Sequence, residues 1–549
     1  MTPETLAEKV LSATRAAFEA LGLDAAVLPA RTAVERPRDP SHGDYASNIA
    51  LQTAKKAGTN PRALAEAIAG ILSETDGVAK ADIAGPGFLN ITLDAAAAGE
   101  IAGKIVAAGP SYGDNDAMAG HHVNLEFVSA NPTGPVHVGG TRWAAVGDAL
   151  ARLMRASGAK VTSEYYFNDA GSQIDNFSAS LLAAVKGEPA PENGYGGAYI
   201  GEIAAEVLER RPDALEADDP QEVFRQVGVA LMFDEIKADL EGFGTHFDVY
   251  FNEKELHDKG ELDAAVERLS SLGHIYEADG ALWLRTTTFG DDKDRPLKKS
   301  DGDWTYFAAD CAYYLDKRER GFDKLVFMLG ADHHGYVGRM RAMSRAFGDE
   351  PDTMEILIGQ MVNLVREGKP VRMSKRNGTV ISLNDIVEAV GVDAARYTLA
   401  RYSSDSPIDL DVDLLTRHSS DNPVYYVQYA HARVSGVLRN AAERGVDRGD
   451  TYDAALLTHQ RESDLLKALA EFPAQVASAA ELREPHRVAR YAEELAASYH
   501  RFQHDCRVLP FPDEETTPVN RARLWLVDAT RVVLANALGL LGVSAPERM

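Results

Sequence analysis

The stretch Ala130-Asn131-Pro132-Thr133-Gly134-Pro135-Val136-His137-Val138-Gly139-Gly140 decides how this chain is read. Before it, Val123, Leu125 and Phe127 alternate with polar residues, the period of a strand. After it, Val146, Leu150 and Leu153 recur at helical spacing and predict a helix over 141–157. A glycine-rich turn between a strand and a helix is a place to hold phosphates. The first helical turn offers unpaired N–H groups, and glycine lets the backbone come close. His137 adds a donor or a positive charge. Far downstream, Val371-Arg372-Met373-Ser374-Lys375-Arg376-Asn377-Gly378 supplies a second, basic element suited to phosphate. Two separated elements of this kind argue for one nucleotide chemistry.

Working outward, 161–167 reads as a second strand, Asn168-Asp169-Ala170-Gly171 as a turn, and Ser172 opens another helix. That β-α-β-α order predicts a doubly wound, Rossmann-like parallel sheet, in which ligands lie beyond the carboxyl ends of the strands. Asn131 and Asn168-Asp169 fall at such ends. Leu325-Val326-Phe327-Met328-Leu329 restarts a strand that runs into Gly330-Ala331-Asp332-His333-His334. Between these pieces, 188–302 is rich in glycine, proline and charge and is expected to be an insertion. Residues 1–112 read as a separate α/β unit. Leu6, Val10, Leu11 and Ala17 mark an opening helix, 46–71 is helical around Pro61, 83–93 gives paired strands, and 107–114 is a connector. From Asn422 onward the pattern is helical. The expected architecture is α/β and multidomain: an α/β unit over 1–112, a Rossmann-like domain over 113–365, a linking region over 366–420, and an all-α bundle over 421–549.

Composition narrows the classes. The chain has 549 residues, 45% hydrophobic and 26% charged, ample for several cores. The opening Met1-Thr2-Pro3-Glu4 lacks a signal-peptide pattern, and the apolar run 532–543 is too short for a bilayer, so a cytoplasmic protein without membrane contact is expected. Two distant cysteines, Cys311 and Cys506, exclude a disulfide framework or a cysteine-built zinc site. The net charge of −26 argues against nucleic acid only on average. Residues 421–549 hold 15 Lys and Arg against 18 Asp and Glu, and 14 of those cations are arginine, the better partner for phosphate. There is no Gly-x-x-x-x-Gly-Lys-Ser/Thr and no Gly-x-Gly-x-x-Gly, so the P-loop and dinucleotide readings lose their support.

The two elements resemble the HIGH and KMSKS signatures of class I aminoacyl-tRNA synthetases, with Gly140 in place of the second histidine and Arg372 in place of the first lysine. Glu126-Phe127-Val128-Ser129-Ala130-Asn131 before the histidine, Tyr165-Tyr166-Phe167-Asn168-Asp169-Ala170-Gly171, Gly330-Ala331-Asp332-His333-His334-Gly335-Tyr336 and the run from Asp421 to Arg433 narrow the resemblance. So do Gly43-Asp44-Tyr45-Ala46 and Gly85-Pro86-Gly87-Phe88. The whole chain is similar to the bacterial arginyl-tRNA synthetase family. The resemblance implies attachment of L-arginine to its tRNA through an arginyl-adenylate, with ATP and Mg2+ as substrate complex and no tightly bound metal. It further implies a tRNA-elbow domain at 1–112, a KMSKS-type loop and stem-contact region at 366–420, and anticodon reading by 421–549. A monomer is expected.

In that reading His137 and Lys375 are catalytic, and Pro135, His137, Gly139, Gly140, Met373, Ser374 and Lys375 hold ATP. A backbone N–H of Gly139, Gly140 or Thr141 could stand in for the missing histidine. The resemblance assigns arginine to Glu126, Asn131, Tyr306 and Asp310. Carboxylates and a stacking tyrosine suit a planar guanidinium, and the spacing of Tyr306 and Asp310 puts both on one helix face. Which group grips the guanidinium and which the α-amino group stays open. Asn168, Asp169, Asp332 and His333 are expected on the pocket wall, since adjacent histidines without a spaced third ligand make a poor metal site. Taken singly, each residue has a plainer role: a capped loop histidine, a solvated lysine, or Asp310 paired with Lys317 or Arg318. Tyr425, Tyr426 and Tyr429 suit a helix core by spacing, while the resemblance of the Asn422–Arg433 run to the family's anticodon domain favours base stacking. A synthetase for cysteine or glutamate, or an inactive tRNA-binding relative, fits these residues less well.

Overall fold

A strand buried on both faces anchors the architecture. In the computed structural model, which describes residues 3–35, 37, 42–94, 99–371 and 381–549, β1 is His122–Glu126, and Val123, Asn124, Leu125 and Glu126 are all buried. Beside it lie β2 (Lys160–Phe167), β3 (Val249–Asn252), β4 (Lys324–Gly330) and β5 (Met354–Gly359). The five form one sheet in the order β5-β4-β1-β2-β3, every neighbouring pair parallel. Glu126 stands opposite both Glu164 of β2 and Phe327 of β4. The chain leaves β1 for β2 on one side and returns to β4 on the other. The crevice between the carboxyl ends of β1 and β4 is therefore the switch point where ligands bind in such sheets.

The helix after β1 runs over Val138–Ala156, three residues earlier than its apolar period suggests. It packs tightly because its glycine faces the strand: a Cβ on Gly147 would lie 2.3 Å from the Phe127 ring. Segment 188–302 differs from its reading as an insertion. It contributes two long helices, Ala198–Arg210 and Pro220–Gly242, and a small antiparallel sheet of Ile275–Ala278, Ala281–Leu284 and Arg295–Lys298, but 249–252 is an integral edge strand of the central sheet.

The amino-terminal unit packs helices Pro3–Ala20, Ile49–Ala57 and Pro61–Ser73 on an antiparallel sheet of Tyr45–Ser47, Val78–Ala84 and Phe88–Leu93. The stretch 46–71, read as helical, begins in the strand Tyr45–Ser47 and splits into two helices: Pro61 opens the third helix, and the Asn60 side chain accepts the Arg62 and Ala63 N–H groups. After residue 421 the structure is helical, ending in Pro518–Leu540.

The expected connector at 107–114 is instead docked. Asn536 donates to the carbonyls of Gly109 and Tyr112, and the Tyr112 hydroxyl donates to the Leu469 carbonyl at 2.9 Å. One hydrophobic core runs from Ile101 through the central sheet into the carboxyl-terminal helices. Arg396, fully buried, joins these parts by donating to Asp148 at 2.5 Å and to the carbonyls of Phe243 and Leu541. Removing 422–549 would uncover this core, so the carboxyl-terminal helices are a packing partner of the sheet.

Candidate active site

His137 caps the helix it precedes. Its Nδ1 accepts the Gly139 N–H at 3.0 Å and the Gly140 N–H at 3.3 Å. Nδ1 is thereby the acceptor, and the ring proton sits on Nε2. Burial lowers the imidazole below its ordinary pKa, against a raising pull from Asp332. His137 is therefore a neutral Nε2–H donor at pH 7. The glycine pair follows from this cap. A Cβ on Gly139 would lie 2.9 Å from the His137 ring, and one on Gly140 would lie 2.9 Å from Val136 Cγ1.

The backbone N–H groups that could stand in for the missing second histidine are engaged at the helix start. Gly139 and Gly140 are capped by His137, Thr141 N–H donates to the His137 carbonyl, and Val138 N–H donates to the Ile381 carbonyl. All four N–H groups of the first turn have partners. The ring proton left free of these bonds is that on His137 Nε2.

The second signature falls outside the described residues: Met373, Ser374 and Lys375 lie in 372–380. Its flanks are placed. Val371 ends the strand Lys369–Val371, which pairs with Val362–Arg366. Beyond the gap, Ile381 accepts from Val138, and Leu383 N–H donates to the Val136 carbonyl at 2.8 Å. The chain that leaves the basic loop is thus hydrogen-bonded on both sides of His137.

Beyond β1 the backbone is strained. Val128 and Ser129 have φ of 68° and 37°, a region a β-branched residue avoids. The bend is held by Ser129 Oγ, which accepts the Tyr166 N–H, and by the Tyr165 hydroxyl, which donates to the Ala130 carbonyl. Asn131 is engaged at both ends: its Oδ1 accepts the Asn168 N–H at 3.0 Å, and its Nδ2 donates to Gln173 at 2.9 Å. It ties the two loops together. Asn168 in turn accepts the Ala170 N–H, and Asp169 accepts from Asn252.

Acidic groups collect around this bend. Glu126 is bound through Oε2 by Lys317 at 2.7 Å. Asp310 sits on the helix Tyr306–Glu319, one turn after Tyr306, which is 78% exposed at the helix start. Neither Lys317 nor Arg318 pairs with Asp310: Lys317 turns to Glu126 and Glu164, and Arg318 to Asp349. Burial, then the charges of Glu253 and Glu126, push the Asp310 carboxyl up to about 7, partly offset by Arg339. Glu253, just past β3, accepts the Tyr166 hydroxyl at 2.5 Å. Among the described residues no cation forms an ion pair with Asp310 or Glu253. Glu253, Asn168 and Asp169 also border a cavity of about 910 Å3 at the ends of β2 and β3.

Sequence reasoning missed Glu253 and Tyr166 as members of this cluster. The available signal was the short run Val249-Tyr250-Phe251-Asn252-Glu253, an alternation ending in an acid, inside a segment assigned to an insertion. Asp332 lies beside His137, on the short helix Ala331–Tyr336 that follows β4, with His333 3.4 Å from its carboxylate. Both are exposed on the rim of the crevice.

The comparisons with known proteins agree along the chain. Residues 4–93 match the arginyl tRNA synthetase N-terminal domain, 202–409 the class I (R) tRNA synthetase catalytic domain, and 427–549 the DALR anticodon binding domain. An arginine--tRNA ligase of Kineococcus radiotolerans is 62% identical over 554 aligned residues, covering 100% of both chains. Arginyl-tRNA synthetase structures from Thermus thermophilus (TM-score 0.77, 23% identity) and Plasmodium falciparum (TM-score 0.72, 15% identity) share the fold, each pair covering 100% of both chains. No helix among the described residues is long and apolar enough to cross a membrane. With a parallel sheet, a capped HIGH-type histidine and a full-length match at 62% identity, the chain belongs to the arginyl-tRNA synthetase family.

Proposed function

We propose that this site joins L-arginine to ATP and passes the arginyl group to tRNA. One observation supports the reading: among the described residues no cation pairs with Asp310 or Glu253, which stand at the carboxyl ends of the sheet near Glu126. Both are half-buried, and carboxylates drawn away from water favour cationic partners. Free arginine brings two, a guanidinium and an α-ammonium. Tyr306, one turn before Asp310, gives a flat face for the guanidinium, and Asn131 holds the loop that shapes the floor.

In the reaction, a carboxylate oxygen of arginine attacks the α-phosphorus of ATP and pyrophosphate leaves. A terminal ribose hydroxyl of tRNA then attacks the arginyl carbonyl and AMP leaves. His137 donates from Nε2 to a phosphate oxygen as charge grows there. Lys375 supplies a positive charge to the same region, and Pro135, Gly139, Gly140, Met373 and Ser374 border the nucleotide. Mg2+ enters with ATP. Residues 1–112 contact the tRNA elbow, 366–420 the stem, and 421–549 the anticodon; the enzyme acts as a monomer in the cytoplasm.

ATP–pyrophosphate exchange across the amino acids, with and without tRNA, tests this. Of the amino acids, only arginine should support exchange, and only with tRNA present. Exchange driven by another amino acid, with none for arginine, would overturn it.

A further inference from the structure

Lys317 is fully buried, yet its ammonium is completely satisfied. Its Nζ donates to Asn124 Oδ1 at 2.6 Å and to Glu126 Oε2 at 2.7 Å, and lies 3.3 Å from Glu164 Oε1. Two hydrogen bonds and a close ion pair hold it in one place. The rings of Tyr313 and Phe327, 4.3 and 4.6 Å from Nζ, close the remaining space. Glu164 is equally committed: Arg320 forks onto both its oxygens, the Tyr313 hydroxyl donates at 2.5 Å, and Asn124 Nδ2 donates at 3.0 Å. Burial alone would raise the Glu164 carboxyl; Lys317, Arg320 and Tyr313 overrule it and hold it at about 2. One oxygen in this network has no partner among the described residues, Oε1 of Glu126 at the end of β1.

We infer that Lys317 is a positioning residue for amino-acid recognition: it clamps Glu126 by Oε2 and thereby presents Oε1 to a cationic group of arginine. The inference rests on the reading of Glu126 as an arginine contact. The clamp works because Lys317 comes from the same helix as Tyr306 and Asp310. One helix thus carries Asp310 toward the substrate and Lys317 toward the carboxylate beside it, so both carboxylates share one rigid frame. A carboxylate free to rotate would lose that register, and small misplacements cost much in a preorganised site.

Lys317→Met keeps the length of the side chain and removes its charge. Steady-state aminoacylation should show an arginine KM raised about tenfold or more, with kcat and the ATP KM changed less than threefold. Because the single variant leaves Glu126 without its cation and Glu164 with Arg320 alone, the double variant Lys317→Met/Glu164→Gln removes one charge of each sign and guards against loss of folding. Its Tm should return toward wild type while the arginine KM stays high. An arginine KM within twofold of wild type in the folded double variant would overturn the clamp. Glu126→Gln separates the two claims. If it leaves the arginine KM unchanged, the reading of Glu126 fails. If it raises that KM while the double variant does not, only the role of Lys317 fails.

Discussion

Nδ1 of His137 accepts the backbone N–H of Gly139 at 3.0 Å, so the residue proposed as the phosphate donor also caps a helix and keeps its ring proton on Nε2. The two jobs can be separated. Asn is a strong cap but carries no donor in the Nε2 position. His137→Asn should therefore keep stability within about 0.5 kcal/mol while kcat falls about 10²–10³-fold. His137→Ala should lose both, with an added stability loss of about 0.5–2 kcal/mol. Denaturant titration beside single-turnover kinetics checks the split; equal stability loss in both variants would count against the cap.

Restoring the family's second histidine should hurt. At Gly140 a Cβ would press within 2.9 Å of Val136 Cγ1. Gly140→His and Gly140→Ala should each destabilise by about 1–3 kcal/mol through overpacking, and neither should raise kcat. A faster Gly140→His enzyme would mean the site has room that the structure denies it.

Arginine affinity should depend on pH through Asp310. Its carboxyl titrates at about 7 in the free enzyme. Below that it is protonated and offers arginine no charge, so the arginine KM should fall as pH rises from 6 to 8. The stability of the free enzyme has the opposite slope. A carboxyl raised above its unfolded value of 3.8 contributes stability that is full below that value and is lost as pH rises through about 7. Adding arginine should restore it. Thermal melts across this range, with and without arginine, report both effects.

The aromatic ladder of the carboxyl-terminal helices offers a test of RNA contact. His418 stacks on Tyr425 at 5.6 Å, and Tyr425 on Tyr429 at 5.9 Å, each pair at 9°. Tyr426 meets His500 instead. Tyr429 is 41% exposed, so Tyr429→Ala should barely move Tm. If a base stacks there, the tRNA KM should rise about 5–100-fold, as stacking is worth about 1–3 kcal/mol per base. An unchanged KM would leave the tyrosines as packing.

Much of this arrangement was legible in the chain. The strand before His137, the strand 160–167 and the strand 324–330 announced themselves through apolar runs with turn residues at their ends. The one-helix-face relation of Tyr306 and Asp310 followed from spacing alone. What escaped has physical reasons. The helix start at Val138 was hidden because histidine is an uncommon cap and Gly-Gly resembles a loop. The polar residues of β1 carried no sign of a buried cationic partner. Glu126 is buried against Lys317, a partner 191 residues away in sequence, and no local pattern reports such pairing. Glu253 was lost because β3 is four residues long and sits among loops. The docking of 107–114 depends on Asn536 and Leu469, equally remote.

The central claim is that the carboxylates gathered at the carboxyl ends of the parallel sheet receive the cationic groups of arginine. Its most direct test is the arginine KM of Asp310→Asn, measured with the ATP KM in the same aminoacylation assay. Loss of one side of a desolvated charge pair costs about 2–5 kcal/mol, so the arginine KM should rise at least about 30-fold while the ATP KM stays within about twofold. An arginine KM equal to wild type, or an ATP KM that rises with it, would contradict the account.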